Sequence, residues 1–237
     1  VLPTLERHHD VLAPTLAGHR GGPVLPPAIG EGTLADAVEL AMDAAGFATA
    51  HLVGNSLGGY VALQLAARGR AASVVAFAPA GGWAVGDDGF RDTLQHFTSM
   101  QEQLRGVAPH VDALVATPAG RRQATRAVTV RWEHLAPELV AHLVLGAAAC
   151  PGTSALIERA ALFGWPLLAE RVTCPLRIVW GTEDQLLPWP AAAHRFRHDW
   201  FPTADWIELE GVGHCPQLDV PVVAAELVVS FTARRPT

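Results

Sequence analysis

The stretch "AHLVGNSLGGYVALQL", residues 50–65, places one serine among glycines where an apolar strand pattern gives way to a helical one. Thr49 to Gly54 reads as a short buried strand, and Tyr60 to Arg68 carries apolar and small residues at helical spacing. Gly54-Asn55-Ser56-Leu57-Gly58 thus matches G-x-S-x-G in the setting that gives the pattern meaning, strand before and helix after. Such a turn is sharp. It needs small flanking residues so that strand and helix can approach, strains the serine backbone and lifts the hydroxyl clear of the sheet. The N–H of Leu57 would then face any oxyanion formed at Ser56, and the helix N-terminus adds partial positive charge. An ordinary serine in a tight turn would show the same letters, so the reading depends on partners elsewhere in the chain.

Working outward, residues 1–7 read as the end of a helix and Asp10–Ala13 as a short strand entering a Gly/Pro-rich loop. Thr33 is placed to cap a helix whose apolar positions 34, 38, 41, 42 and 45 share one face and which stops at Gly46. "ASVVAFAPAGG" is a further strand. From Trp83 to Glu170 helical patterns dominate and strand signals are lacking. Strand grammar returns with "CPLRIVWG", a helix near 190–199, "ADWIELEG" and a closing helix from Pro221 to about Thr232. Strands alternating with helices imply a mostly parallel sheet flanked by helices. The expected organisation is an α/β core formed by 1–82 and 171–237, with 83–170 as an all-helical insertion.

Composition narrows the function classes. With 237 residues, half of them hydrophobic and 17% charged, the chain can bury a large core. A net charge of −6 without blocks of like charge argues against nucleic acid as a partner. No run reaches the roughly 18 apolar residues of a membrane span. The opening "VLPTLERHHD" lacks the apolar core of a signal peptide. Cys150, Cys174 and Cys215 have no metal-like spacing, so reduced thiols in a cytoplasmic setting are expected, with no metal and no cofactor.

A serine hydroxyl becomes a useful nucleophile when a base takes its proton. In a parallel sheet the base and its orienting acid must come from other loops at the carboxyl ends of strands. Two such loops follow Ser56: Gly181-Thr182-Glu183-Asp184 after "LRIVWG", and Val212-Gly213-His214-Cys215-Pro216 after "WIELEG". His214 would shuttle the proton while Asp184 holds its tautomer, with Glu183 the competing acid. The other histidines have plainer readings. His194 and His198 are helix-surface positions, His8, His9 and His19 lack carboxylate companions, and His96, His110, His134 and His142 are mostly solvated residues of the insertion.

These three loops, in this order, resemble the α/β-hydrolase superfamily, as a serine-nucleophile, esterase-like member with a helical cap. "VLAPTLAGHRGG" is similar to the family's strand and loop before its first sheet-crossing helix. "GNSLGG" is similar to its nucleophile elbow, "VWGTEDQLLP" to its acid loop and "GVGHCP" to its histidine loop. The resemblance implies an α/β-hydrolase fold, and two departures qualify it. The family carries a strand ending in a His-Gly loop that supplies a second oxyanion N–H, yet no His-Gly pair occurs here. That strand would lie between Asp10–Ala13 and Thr49–Gly54, so the fold is expected to be incomplete at the N-terminus. Thr15 also stands where relatives often have aspartate.

The expected activity is a serine hydrolase of esterase type, acting on a small-molecule acyl substrate through Ser56, His214 and Asp184. Trp83, Phe90, Phe97 and Trp132 are candidate pocket residues for an apolar acyl group; packing of the cap onto the core would use the same aromatics. The alternatives are a non-catalytic binding protein of the same fold, and a carbon–carbon bond hydrolase, acyltransferase or cofactor-free perhydrolase built on the same triad. Serine at 56 argues against relatives with an aspartate nucleophile, such as dehalogenases and epoxide hydrolases.

Overall fold

Four apolar runs form the strands β1 (Ala50–Asn55), β2 (Ala71–Phe77), β3 (Leu176–Gly181) and β4 (Asp205–Leu209), all parallel and in the spatial order β1-β2-β3-β4. The computed structural model describes residues 1–84 and 86–233, so the last four residues of the expected 171–237 core segment lie outside the described residues. Helices α1 (Leu2–Leu5) and α2 (Thr33–Ala44) precede β1, and α3 (Leu57–Ala67) joins β1 to β2. Between β2 and β3 the chain inserts α4 (Asp88–Val107), α5 (Val111–Val115), α6 (Pro118–Thr125), α7 (Pro137–Ala148) and α8 (Thr153–Phe163). Helices α9 (Pro216–Asp219) and α10 (Pro221–Thr232) follow β4. A parallel sheet core flanked by helices, with an inserted helical region, is the α/β-hydrolase architecture.

Alternation along the strands divides the core. Val74, Ala76, Ile178 and Trp180 point to one face, where Ala62, Leu63 and Ala66 of α3 and the aromatic rings of Phe196 and Phe201 cover them. Val75, Phe77 and Val179 point the other way, onto Leu5 of α1 and Ala224, Val228 and Phe231 of α10. Both faces are thus covered, as a parallel sheet requires. The inserted helices bury a cluster of their own around Val111, Val115, Leu135, Val140 and Val144. Each fully buried aliphatic side chain of this kind contributes about 1.5–3 kcal/mol.

Three sequence expectations change. Asp10–Ala13 is not a strand but irregular chain. Extended residues become a strand only when a neighbouring edge accepts their backbone groups, and here a cavity of about 600 Å³ lies between Asp10–Ala13 and the Ala50–Val53 side of β1. Val38, Met42, Val61 and Val228 also line it. Thr33 is the first residue of α2 rather than its cap. Gly32 holds the cap position, and the Thr33 hydroxyl accepts from Gly30 N–H at 2.9 Å. Residues 190–199 form a 3₁₀ turn, Ala191–Ala193, and then a wider π turn, Phe196–Trp200, instead of one α-helix. The π turn is closed by the Phe201 N–H donating to the Phe196 carbonyl at 2.8 Å, and it seats the ring of Phe196 in the core.

Candidate active site

Because the strands are parallel, the loops after β1, β3 and β4 open on one edge of the sheet. Register brings their last residues into line: Asn55 pairs with Phe77, Phe77 with Val179, and Gly181 with Leu209. Ser56 sits between β1 and α3 with φ 54° and ψ −120°, a backbone conformation in the left-handed half of the map that a non-glycine residue rarely adopts. Three bonds hold it: its N–H donates to the Phe77 carbonyl at 2.9 Å, and its own carbonyl accepts from Ala80 N–H at 3.0 Å and from Tyr60 N–H at 3.1 Å. The turn is as tight as its glycines suggest. A Cβ on Gly54 would overlap the backbone carbonyl of Gly58. Helix α3 starts at Leu57, so the N–H groups of Leu57, Gly58 and Gly59 have no acceptor one turn earlier in the helix.

Asp184 and His214 meet in the protein interior, with side-chain exposures of 0% and 2%. The Asp184 carboxylate is used on both oxygens. Oδ1 accepts from the N–H groups of Leu186 at 2.9 Å and Leu187 at 2.8 Å, while Oδ2 lies 2.7 Å from His214 Nδ1. A carboxylate acceptor at that distance places the ring proton on Nδ1 and leaves Nε2 as the basic nitrogen. His214 Nε2 is buried and has no hydrogen-bond partner among the described residues. Glu183, the alternative acid, is exposed, and it is its backbone N–H that is engaged, donating to Val212 O at 3.0 Å.

Asn55 ties the serine turn to the histidine loop. Its Nδ2 donates to the carbonyls of Phe77 and of His214, both at 3.0 Å. Its Oδ1 accepts from Gln217 Nε2 at 3.0 Å and faces Cys215 Sγ at 3.2 Å. The residue directly before Ser56 is therefore bonded to the backbone of His214. Sequence reading passed over this contact; a carboxamide inside an elbow of otherwise small or apolar residues was the available signal. Burial pushes the Cys215 thiol up to about 12, with the Asp184 and Asp219 carboxylates adding to the effect, so the thiol stays neutral beside the site.

The four candidate pocket aromatics have different surroundings. Trp132 packs in the insertion's own cluster, Trp83 packs against the core beneath the sheet, Phe90 is buried at 4% exposure and Phe97 is half-buried on α4. His194 and His198 are exposed neighbours with ring centroids 4.5 Å apart. His9 bonds Thr232 Oγ1 at 2.9 Å. Among the described residues no group of three or more His, Cys, Asp or Glu side chains is arranged to hold a metal ion. No single described helix is long and apolar enough to cross a membrane.

The fold is that of one class of protein. The chain belongs to the alpha/beta hydrolase family, whose model matches residues 1–227. Among individual proteins it is 32% identical over 199 residues to epoxide hydrolase EphH of Mycobacterium tuberculosis, an overlap of 84% of this chain and 92% of that protein. Solved structures with the same fold include the meta-cleavage product hydrolase CumD from Pseudomonas fluorescens IP01, with TM-score 0.68, 21% identity and coverage of 98% of this chain and 82% of that one. Serine hydrolase CCSP0084 from the polyaromatic-hydrocarbon-degrading bacterium Cycloclasticus zankles is similar at TM-score 0.70 and 19% identity, with 97% and 81% covered.

Proposed function

We propose that this chain is a serine hydrolase that cleaves a carboxylic ester or related acyl compound through an acyl-enzyme on Ser56. The observation that carries the reading is the buried imidazole of His214, held by Asp184 on one nitrogen and unpartnered on the other, on the loop bonded to the residue before Ser56. In the first half-reaction Ser56 Oγ attacks the acyl carbon and its proton passes to His214 Nε2. The tetrahedral oxyanion lies toward the free N–H of Leu57 at the start of α3. Collapse breaks the bond to the alcohol, which leaves with the proton from Nε2. Water then attacks the acyl-serine by the same route in reverse, releasing the acid and restoring the hydroxyl.

The name of the M. tuberculosis relative raises epoxides as substrates, and the chemistry at position 56 weighs against them. An aspartate that opens an epoxide forms an ester, which water can hydrolyse. A serine that opened one would form an ether, which the same machinery could not cleave, and the enzyme would stop after one turnover.

A fluorophosphonate probe read by intact mass tests the proposal. One adduct is expected on the folded protein, lost in Ser56→Ala, together with turnover of short nitrophenyl esters. Absence of both adduct and ester turnover would overturn the reading and leave a binding protein. Sustained epoxide turnover that survives Ser56→Ala would replace it with a different mechanism.

A further inference from the structure

Asp219 is a buried carboxylate, 4% exposed, that the proposed chemistry does not use. It ends α9, five residues after His214, and its two oxygens face different parts of the molecule. Oδ1 accepts from the inserted helical region: from the Thr129 hydroxyl, from Val130 N–H at 2.8 Å and from Arg131 N–H at 2.7 Å. Oδ2 accepts from Gly213 N–H at 2.6 Å, the peptide group next to His214. Gly213 has little room for a side chain, since a Cβ would stand 3.1 Å from Asp219 Oδ2 and 3.2 Å from the Thr129 backbone. A neighbouring bond runs the same way, with Cys215 N–H donating to Val128 O at 2.8 Å. His134 Nε2 donates to the Leu218 carbonyl at 2.7 Å. Residues on both sides of His214 are thus tied to 128–131, and the Asp219 side chain is bonded both to 128–131 and to the histidine loop.

We propose that Asp219 is a positioning residue that couples the inserted helical region to the histidine loop, so that segment 128–131 and the His214 imidazole move as one body. The inference rests on the reading of His214 as the general base. A carboxylate suits the task because it accepts on both oxygens and bonds to it are stronger than neutral ones. Access through the inserted region and alignment of the base are then set by one joint. A substrate that settles this region also fixes Nε2, and a displaced region draws Nε2 away from the serine.

Asp219→Asn separates the two sides. Three donors converge on Oδ1, so the amide oxygen stays there and the NH₂ group turns toward Gly213 N–H, donor against donor. The histidine loop is released while the inserted region keeps its bonds. The expected result is a kcat lowered about 10- to 100-fold, the cost of a small misplacement of a catalytic group, with KM within about threefold. Hydrogen exchange at the Gly213 amide should rise at least about tenfold while exchange in β2 and β3 stays as in the parent. Thr129→Val loosens only the far side of the carboxylate. Faster exchange at Gly213 in that variant shows that the joint transmits, and the test stands on this variant if Asp219→Asn does not fold. Unchanged Gly213 exchange in both folded variants, or in Thr129→Val alone where Asp219→Asn does not fold, would overturn the coupling, as would an unchanged kcat in a folded Asp219→Asn. The serine reading fails separately, by loss of the parent's Ser56 adduct, and the exchange data then still judge the coupling.

Discussion

Asp184→Asn is the sharpest test of the proposed acid–base pair, because the structure dictates which way the new amide must point. Asp184 Oδ1 accepts from Leu186 and Leu187 N–H, and Oδ2 faces His214 Nδ1. An asparagine that keeps its oxygen toward the two backbone donors presents NH₂ to Nδ1. His214 must then accept on Nδ1 and carry its proton on Nε2, the tautomer that cannot take a proton from Ser56. Turning the amide over would restore the tautomer but leave two buried N–H groups facing a donor, at about 1–3 kcal/mol each. The productive arrangement therefore lies about 2–6 kcal/mol above the other. At about 1.4 kcal/mol per decade this is a loss of roughly 1.5 to 4 decades in kcat/KM. Alanine is the poorer probe, since it strands both N–H groups and takes a large share of a stability of about 5–15 kcal/mol. The assay is nitrophenyl-ester turnover with the rate of fluorophosphonate labelling, alongside thermal unfolding. Full activity in a folded Asp184→Asn refutes the argument. Glu183→Gln, at an exposed side chain, should stay within about twofold of the parent.

Three further outcomes follow from local geometry. Gly54→Ala drives a methyl group into the Gly58 backbone. It should cost at least the about 1–3 kcal/mol of an overpacked core, lowering Tm by about 2–12 °C and abolishing labelling; an unchanged Tm would contradict the close approach of β1 and α3. At the strained position 56, Ser56→Gly should unfold at a higher temperature than Ser56→Ala, because glycine occupies a positive φ without penalty; equal melting would show that no strain is stored there. Cys215 carries a pKa raised from 9.0 to about 12. The folded state keeps this proton while the unfolded chain loses it, so the contribution to stability is complete below pH 9 and disappears as pH climbs toward 12. Thermal unfolding across that window should show a fall that Cys215→Ala reduces, and parallel curves would refute the assignment.

The features most legible in the sequence were those decided by local grammar. Ser56 is marked by Gly54 and Gly58 because a tight turn tolerates few residue types, and the Asp184 and His214 loops are marked by the strands that lead into them. The closing helix begins at Pro221 and ends at Thr232, the bounds that its proline and apolar spacing suggest. Asp10–Ala13 misled because strand-like composition describes a residue's fitness for a ladder, and no ladder reaches it. The short helices between Val107 and Thr125 were not resolved as separate elements, since each is too brief to display a period. Asn55 and Asp219 stayed hidden for a different reason. Asn55 reaches the His214 backbone and Asp219 reaches 129–131, roughly 90 to 160 positions away, and spacing carries no trace of such contacts.

β2 and β3 each have strands on both flanks, whereas β1 is secured along one side and borders the cavity on the other. The Ser56 hydroxyl thus hangs from a lightly moored strand, and the crosswise hold of Asn55 on Phe77 and His214 takes over part of the anchorage that a neighbouring strand would supply. Gentle warming or dilute denaturant should slacken this corner first, silencing the probe while the circular dichroism of the sheet remains intact.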